Sequence, residues 1–276
     1  MTPNRGKSNL FLRHVALPSD HGSWVFLLSP LLIGLFAGDS WSLATLYLIL
    51  AAFAAFLIRQ PFTILVKIFS GRRNRRDLPA AWFWIGIYAL IGLFGLTGLL
   101  LEGFSYIFIL ALPGIPVFIW HLYLVSRRAE RRQIGIEIVA SGVLALAAPA
   151  GYWLGVGWTD PVGWLLFILT WLQSAASIVY AYLRLLQREL TEIPNLADKL
   201  KIGRRALIYT TFNILFVLLL ALTSVVSIFL LLPYGLQWIE TIYGTLNPAM
   251  GERPTRIGVR QLIVSSIFTL LFILTW

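Results

Sequence analysis

The 276-residue chain contains no cysteine. That excludes disulfides, thiolate-held zinc and a cysteine nucleophile, and it leaves the redox compartment open. Histidine is almost as scarce, with three residues, so no tight histidine metal centre is expected. Charge is scarce as well: Asp, Glu, Lys and Arg make up 12% of the chain, where a soluble domain is nearer about a quarter. So few charges cannot cover a surface that faces water. No P-loop, G-x-G-x-x-G, H-E-x-x-H or G-x-S-x-G pattern occurs, which removes the chemistries those motifs support.

What is present is apolar. Hydrophobic residues make up 58% of the chain, and the mean hydropathy is +0.80. The solvent these residues imply is lipid. Runs long enough to cross a bilayer, about 20 residues each, lie near 18–38, 41–58, 80–100, 104–125, 135–155, 162–183, 206–228 and 260–276. A weaker ninth, near 230–246, is interrupted by Pro233, Gln237 and Glu240. A spanning segment must satisfy its own backbone hydrogen bonds, so the expected fold is an all-α polytopic bundle. It is read as a single integral membrane domain over 1–276, opened by a cytoplasmic segment at 1–17. No secretory leader is expected, because the first apolar run starts late and lacks an A-x-A cleavage site.

The cations bear on the span count. All 22 Lys and Arg fall in five blocks: Arg5 to Arg13, Arg59 to Arg76, Arg127 to Arg132, Arg184 to Arg205 and Arg253 to Arg260. The first four alternate with the loops "GDSWS", "LEGFS" and "GWTDP", which carry none. Cytoplasmic loops collect Lys and Arg. Eight spans would put the fifth block outside, whereas nine put every cation inside. The prediction is therefore about nine spans, N-terminus inside and C-terminus outside, with eight spans and a re-entrant or interfacial segment at 230–246 as the alternative. The net charge of +10 then reads as topology and attraction to anionic lipid, not as nucleic-acid binding.

Local features refine this. Trp24, Trp41, Trp82, Trp84, Trp153 and Trp158 stand at span ends, as interfacial aromatics do. Gly92, Gly95 and Gly98 in "GLFGLTGLL" predict close helix approach. Pro113 and Pro116 predict a kink or break in the fourth span. "KIFSGRR" (Lys67 to Arg73) and "KLKIGRR" (Lys199 to Arg205) echo each other four spans apart, a candidate internal repeat.

Ionisable groups in or beside a membrane span are function candidates by default. Asp20 and His21 stand at the cytoplasmic start of the first span. Ser19-Asp20 also makes a good helix start, but His21-Gly22 does not, and His21 can carry a proton near neutrality. Arg59 closes the second span. Glu137 lies about one turn inside the fifth and calls for a partner among nearby arginines. Arg184 and Arg188 close the sixth span, while Gln173, with Ser174 and Ser177, sits nearer mid-membrane. His121 and Asn213 lie in the cytoplasmic halves of the fourth and seventh spans. Together these groups predict a cationic vestibule open to the cytoplasm. It would suit an anionic head group, with the apolar bundle holding a lipid tail.

The stretch "PSDHGSW", Pro18 to Trp24, resembles the opening of the YwiC-like family of bacterial membrane proteins, which carries Pro-x-(Glu/Asp)-His-Gly-x-Trp at its first helix. "RQP" (Arg59 to Pro61), Glu137 and "RIGVRQL" (Arg256 to Leu262) are similar as well. Here the acid before His21 is Asp20, where Glu is expected to be commoner. The resemblance implies the cytoplasmic membrane of a bacterium and no firmly assigned activity. Span count and sidedness are also similar to UbiA-type intramembrane prenyltransferases, whose active loops follow helices two and six. That family implies two Asp-rich motifs holding magnesium on a prenyl diphosphate. The corresponding loops here hold only Asp77 and the poorly spaced Glu189, Glu192 and Asp198.

The leading reading is a protein whose partners are membrane lipids, binding an isoprenoid or other anionic amphiphile, as a divergent UbiA-like enzyme. His21, Asp20 and Glu137 would be the proton-handling groups. Arg59, Arg184, Arg188, Gln173 and Asn213 would bind the ligand. A small multi-pass transporter and a non-catalytic membrane subunit or assembly factor are the alternatives. No cofactor is named by the sequence.

Overall fold

A computed structural model describes residues 10–18, 23–128 and 133–276. Asp20 and His21 lie outside the described residues. The described secondary structure is all helical: α1 (Arg13–Ala16), α2 (Ser23–Gly38), α3 (Leu43–Phe69), α4 (Leu78–Leu101), α5 (Ala111–Ser126), α6 (Ile134–Ala145), α7 (Ala147–Val156), α8 (Pro161–Gln187), α9 (Leu196–Leu222), α10 (Leu231–Leu246) and α11 (Pro254–Thr275). Short 3-10 turns precede α4, α5 and α10. Seven helical segments among the described residues are long and apolar enough to cross a membrane, counting α6 and α7 as one. The 16-residue α2 and α10 add two shorter helices. Each of the nine predicted runs thus falls on a helix, and the chain is a multi-pass membrane protein.

The helix ends follow from local chemistry. Asp160 accepts from the Val162 N–H at 2.7 Å, and Pro161 opens α8 with its φ already set. Asn195 accepts from the Asp198 N–H at 2.9 Å and starts α9 ten residues before the apolar run begins. The seventh span is therefore Leu196–Leu222, not 206–228. A good cap and charged residues with fair helix propensity carry the helix back through Lys199 to Arg205. Proline sets the break between α6 and α7: Pro149 has no N–H and would clash with the carbonyl of Ala145, and regular helix stops for one residue at Leu146. In the fourth span, α5 starts at Ala111, so Pro113 falls in its first turn while Pro116 lies inside.

Two expectations are corrected. Arg59 does not close the second span. Helix α3 continues through Pro61 to Phe69, a 27-residue element about 40 Å long. The first basic residue marks the start of a charge block, not the end of the helix. Nor do "KIFSGRR" and "KLKIGRR" take the same structure. Gly71 stands just past the end of α3 with φ 70°, where a left-handed residue is needed, whereas Gly203 lies inside α9.

The chain divides into two compact units, one drawn from Met1–His21 and Trp41–Gln133, the other from Gly22–Ser40 and Ile134–Trp276. In the first unit, α3 and α4 pack as an antiparallel hairpin. A methyl group on Gly95 would lie 2.6 Å from the Tyr47 carbonyl oxygen, and one on Gly98 would meet the Tyr47 ring at 2.4 Å. The predicted close approach is therefore real. The N-terminal segment lies against this hairpin: Val15 is buried against Ile64, Ile68, Ala80 and Ala81. Tyr88 donates to the Ala16 carbonyl at 2.9 Å, and Trp84 donates to the Leu10 carbonyl at 3.1 Å.

In the second unit α8 is central, packing on α2, α6, α7, α9, α10 and α11. Leu166 and Leu169 join Ile33, Ala148, Val217, Leu230, Tyr234, Phe268 and Phe272 in its core. Helices α2 and α7 touch backbone to backbone: a methyl group on Gly34 would lie 2.1 Å from the Ala148 oxygen.

Candidate functional site

A second stripe of α8 is polar. Gln173, Ser177, Tyr180, Arg184 and Gln187 recur at steps of four, three, four and three, which places them on one helix face. All five are buried, Arg184 to 3% exposure and Gln187 to 1%. Burying such a row in an apolar helix is tolerable only if neighbours satisfy it. Helices α10 and α11 supply those neighbours.

At mid-helix, Gln237 of α10 donates to the Gln173 carbonyl at 3.0 Å and to the Ser177 hydroxyl at 3.1 Å. Gln173 also donates to Ser177, at 3.2 Å, and Gln261 of α11 donates to the Ser177 carbonyl. Asn213 of α9 donates to the Leu172 carbonyl at 2.9 Å. Two buried acceptors of the seam, Gln237 Oε1 and Asn213 Oδ1, take no hydrogen bond from the described residues.

About one turn nearer the basic end stands an ion pair. Arg260 Nε and Nη2 donate to Glu240 Oε1 and Oε2 at 2.7 and 2.9 Å, a two-pronged fork. The Tyr180 hydroxyl adds a third hydrogen bond to Glu240 Oε1 at 2.8 Å. The Arg260 guanidinium lies over the Tyr243 ring at 4.8 Å.

At the basic end, Arg184 Nη1 donates to the Gly244 and Asn247 carbonyls at 2.8 and 2.6 Å and to Gln187 Oε1 at 2.9 Å. Gln187 Nε2 shares the Gly244 carbonyl at 3.0 Å. These are the last carbonyls of α10, and a cation there completes its C-terminus. Yet every one of these acceptors is neutral. Among the described residues no carboxylate lies within ion-pair range of Arg184, and its Nε and Nη2 edge makes no hydrogen bond to the protein.

The structure thus brings Gln173, Arg184 and Asn213 into one seam, with Arg188 at the C-cap of α8, where its carbonyl accepts from the Gly251 N–H at 3.2 Å. Glu137, in the same unit, is not part of that seam. Glu137, exposed in the first turn of α6, accepts from the Tyr182 hydroxyl at 2.5 Å. Arg59 and His121 sit on α3 and α5 of the first unit, Arg59 with its guanidinium 5.5 Å from the Phe56 ring centre. Sequence reasoning missed Tyr180, Gln187, Glu240, Arg260 and Gln261 as site residues. A signal was available: Glu240 and Arg260 are equidistant from the loop joining the last two helices, so an antiparallel hairpin must set them side by side.

The described residues do not fit a magnesium diphosphate site. The one carboxylate between α3 and α4, Asp77, accepts from Arg73 Nε at 2.6 Å and faces His14 at 3.5 Å. Among the described residues no three His, Asp or Glu side chains converge.

Comparison with known proteins places the chain. Residues 17–152 match the model of the YwiC-like protein family. Uncharacterized protein YwiC of Bacillus subtilis strain 168 is 26% identical over 170 residues, covering 59% of this chain and 64% of that relative's length. The solved structure of a digeranylgeranylglyceryl phosphate synthase in membranes superposes with a TM-score of 0.57 at 15% identity, over 96% of this chain and 97% of that one. At that identity the likeness establishes the fold. The polar seam, from Gln173 to Gln261, lies beyond the matched family segment. The chain is therefore an all-α multi-pass membrane protein, similar to the YwiC-like family over residues 17–152 and UbiA-like in fold.

Proposed function

We propose that this protein binds an anionic lipid or isoprenoid head group at the basic, cytoplasm-facing end of the α8–α10–α11 seam. The observation that carries the reading is Arg184. A guanidinium has five N–H donors and cannot lose its charge. Here one nitrogen is held by neutral carbonyls, and a two-pronged edge is left for an anion. An isolated buried cation is costly in lipid, and an anionic ligand would remove that cost. Arg188, one turn on, extends the positive surface. The fold likeness to a synthase named for an isoprenoid glyceryl phosphate supports an isoprenoid-like tail. Asp20, His21, Arg59 and Glu137 remain proposed contributors to proton handling or binding.

Native mass spectrometry with lipid extraction tests the reading. Gently solubilised wild-type protein should retain one anionic or isoprenoid species that Arg184→Lys, which keeps the charge but loses the fork, releases. The same bulk phospholipid on both proteins would contradict it. A second reading, a small-solute transporter, is favoured by the unpartnered Gln237 and Asn213 oxygens near mid-span. Solute uptake into proteoliposomes, lost in Gln237→Leu, would favour that reading.

A further inference from the structure

The Glu240–Arg260 fork is not separate from the Arg184 site. Tyr180 and Arg184 are one turn apart on α8, as Glu240 and Gly244 are on α10. The Tyr180 ring packs on the Gly244 backbone so tightly that a methyl group there would lie 2.2 Å from its hydroxyl oxygen. Gly244 is the residue whose carbonyl Arg184 holds. A continuous chain of contacts therefore runs from Arg184 through Gly244 and Tyr180 to Glu240 and Arg260. The cluster holds two guanidinium groups and one carboxylate.

The partners of the fork are unequally exposed. The Glu240 side chain is 13% exposed, that of Arg260 41%. The carboxylate reaches from the seam to a guanidinium on its open side. It sits on the Nε and Nη2 edge, which is the edge a phosphate oxygen pair would take. We infer that Glu240 is an internal competitor: its carboxylate occupies on Arg260 the position that the phosphate of a phosphorylated amphiphile takes on binding, and Tyr180 fixes it there. Arg260 is then a second ligand-binding residue beside Arg184. The inference rests on the anionic head-group reading and narrows it to a phosphate or diphosphate. A single carboxylate already satisfies one guanidinium, and displacing it takes an anion with enough charge for two. Formation of the complex makes and breaks hydrogen bonds only.

The test compares dioleoyl phosphatidic acid with dioleoyl phosphatidylcholine, and inorganic pyrophosphate without a tail, as probes on the purified full chain. Apparent Kd values are measured for wild type, Glu240→Gln, Arg260→Gln and Arg184→Lys. Glu240→Gln should bind phosphatidic acid about tenfold more tightly and Arg260→Gln about tenfold more weakly. The same ordering with pyrophosphate alone supports the displacement and assigns the ligand to a free phosphate. Binding in Glu240→Gln that equals or falls below wild type, while Arg184→Lys still loses it, overturns the competitor and leaves the head-group reading standing. Absence of any preference over phosphatidylcholine, unaffected by Arg184→Lys, overturns both. Should Glu240→Gln fail to fold, Tyr180→Phe decides: it removes one of the three hydrogen bonds on Glu240. About two- to threefold tighter binding supports the inference, and an unchanged Kd contradicts it.

Discussion

Both units are built from apolar helices, yet they bury different things. Among the described residues, Thr45 and Tyr88 are the buried side chains of the first unit that carry a hydroxyl, and it buries no amide or charged side chain. Ser29, Ser141, Gln173, Arg184, Gln187, Asn213, Gln237 and Thr269 are among the many buried polar side chains of the second. In the first unit, glycines let α3 and α4 close up, and the pair between Arg73 and Asp77 sits at the helix ends. In the second, hydrogen bonds run along the interior of α8. Between transmembrane helices apolar contact gives no hydrophobic drive, so packing and hydrogen bonds decide association. Close packing suffices for a scaffold. A buried polar row needs a further reason, and the proposed head-group site supplies one.

Substitutions can sharpen the contrast. The largest effect is expected for Arg184→Ala. It strips the α10 C-terminus of its cation and should lower stability by about 2–4 kcal/mol, measured as a loss of thermal midpoint in detergent. Next comes Glu240→Gln, which leaves Arg260 without its anion. Since Arg260 is partly exposed, the cost should be about 2 kcal/mol, below that of a fully buried pair. The double variant Glu240→Gln/Arg260→Gln should recover much of the loss, and a double-mutant cycle reads the coupling. In the first unit, Gly98→Ala forces the Tyr47 ring aside and should cost about 1–2 kcal/mol. The smallest effect is expected for Asp77→Asn at the helix end, about 0.5 kcal/mol, as for other surface pairs. Equal losses for Asp77→Asn and Glu240→Gln would erase the distinction between the units.

The sequence carried the span pattern because lipid permits so few backbone solutions. The weak segment near 230–246 is a 16-residue helix, Leu231–Leu246. Gly95 and Gly98 were legible because small residues in an apolar run have one common use. Gln173, Arg184 and Asn213 were legible as polar groups out of place. Their partners were not. Nothing local says that Gln173 answers Gln237, or that Arg184 finds Gly244 and Asn247, because those contacts join residues about sixty apart in the chain. Helix ends also resisted reading. Apolarity ends at Arg59 and begins at about 206, but capping and backbone geometry carry α3 to Phe69 and start α9 at Leu196.

The most direct test of the head-group reading is a cryo-electron map of the protein in nanodiscs made with its native lipids. Non-protein density is expected against the Nε and Nη2 edge of Arg184, continuing as a tail along the lipid-facing side of α10. A protein carboxylate on that edge, or nothing but water, would contradict it.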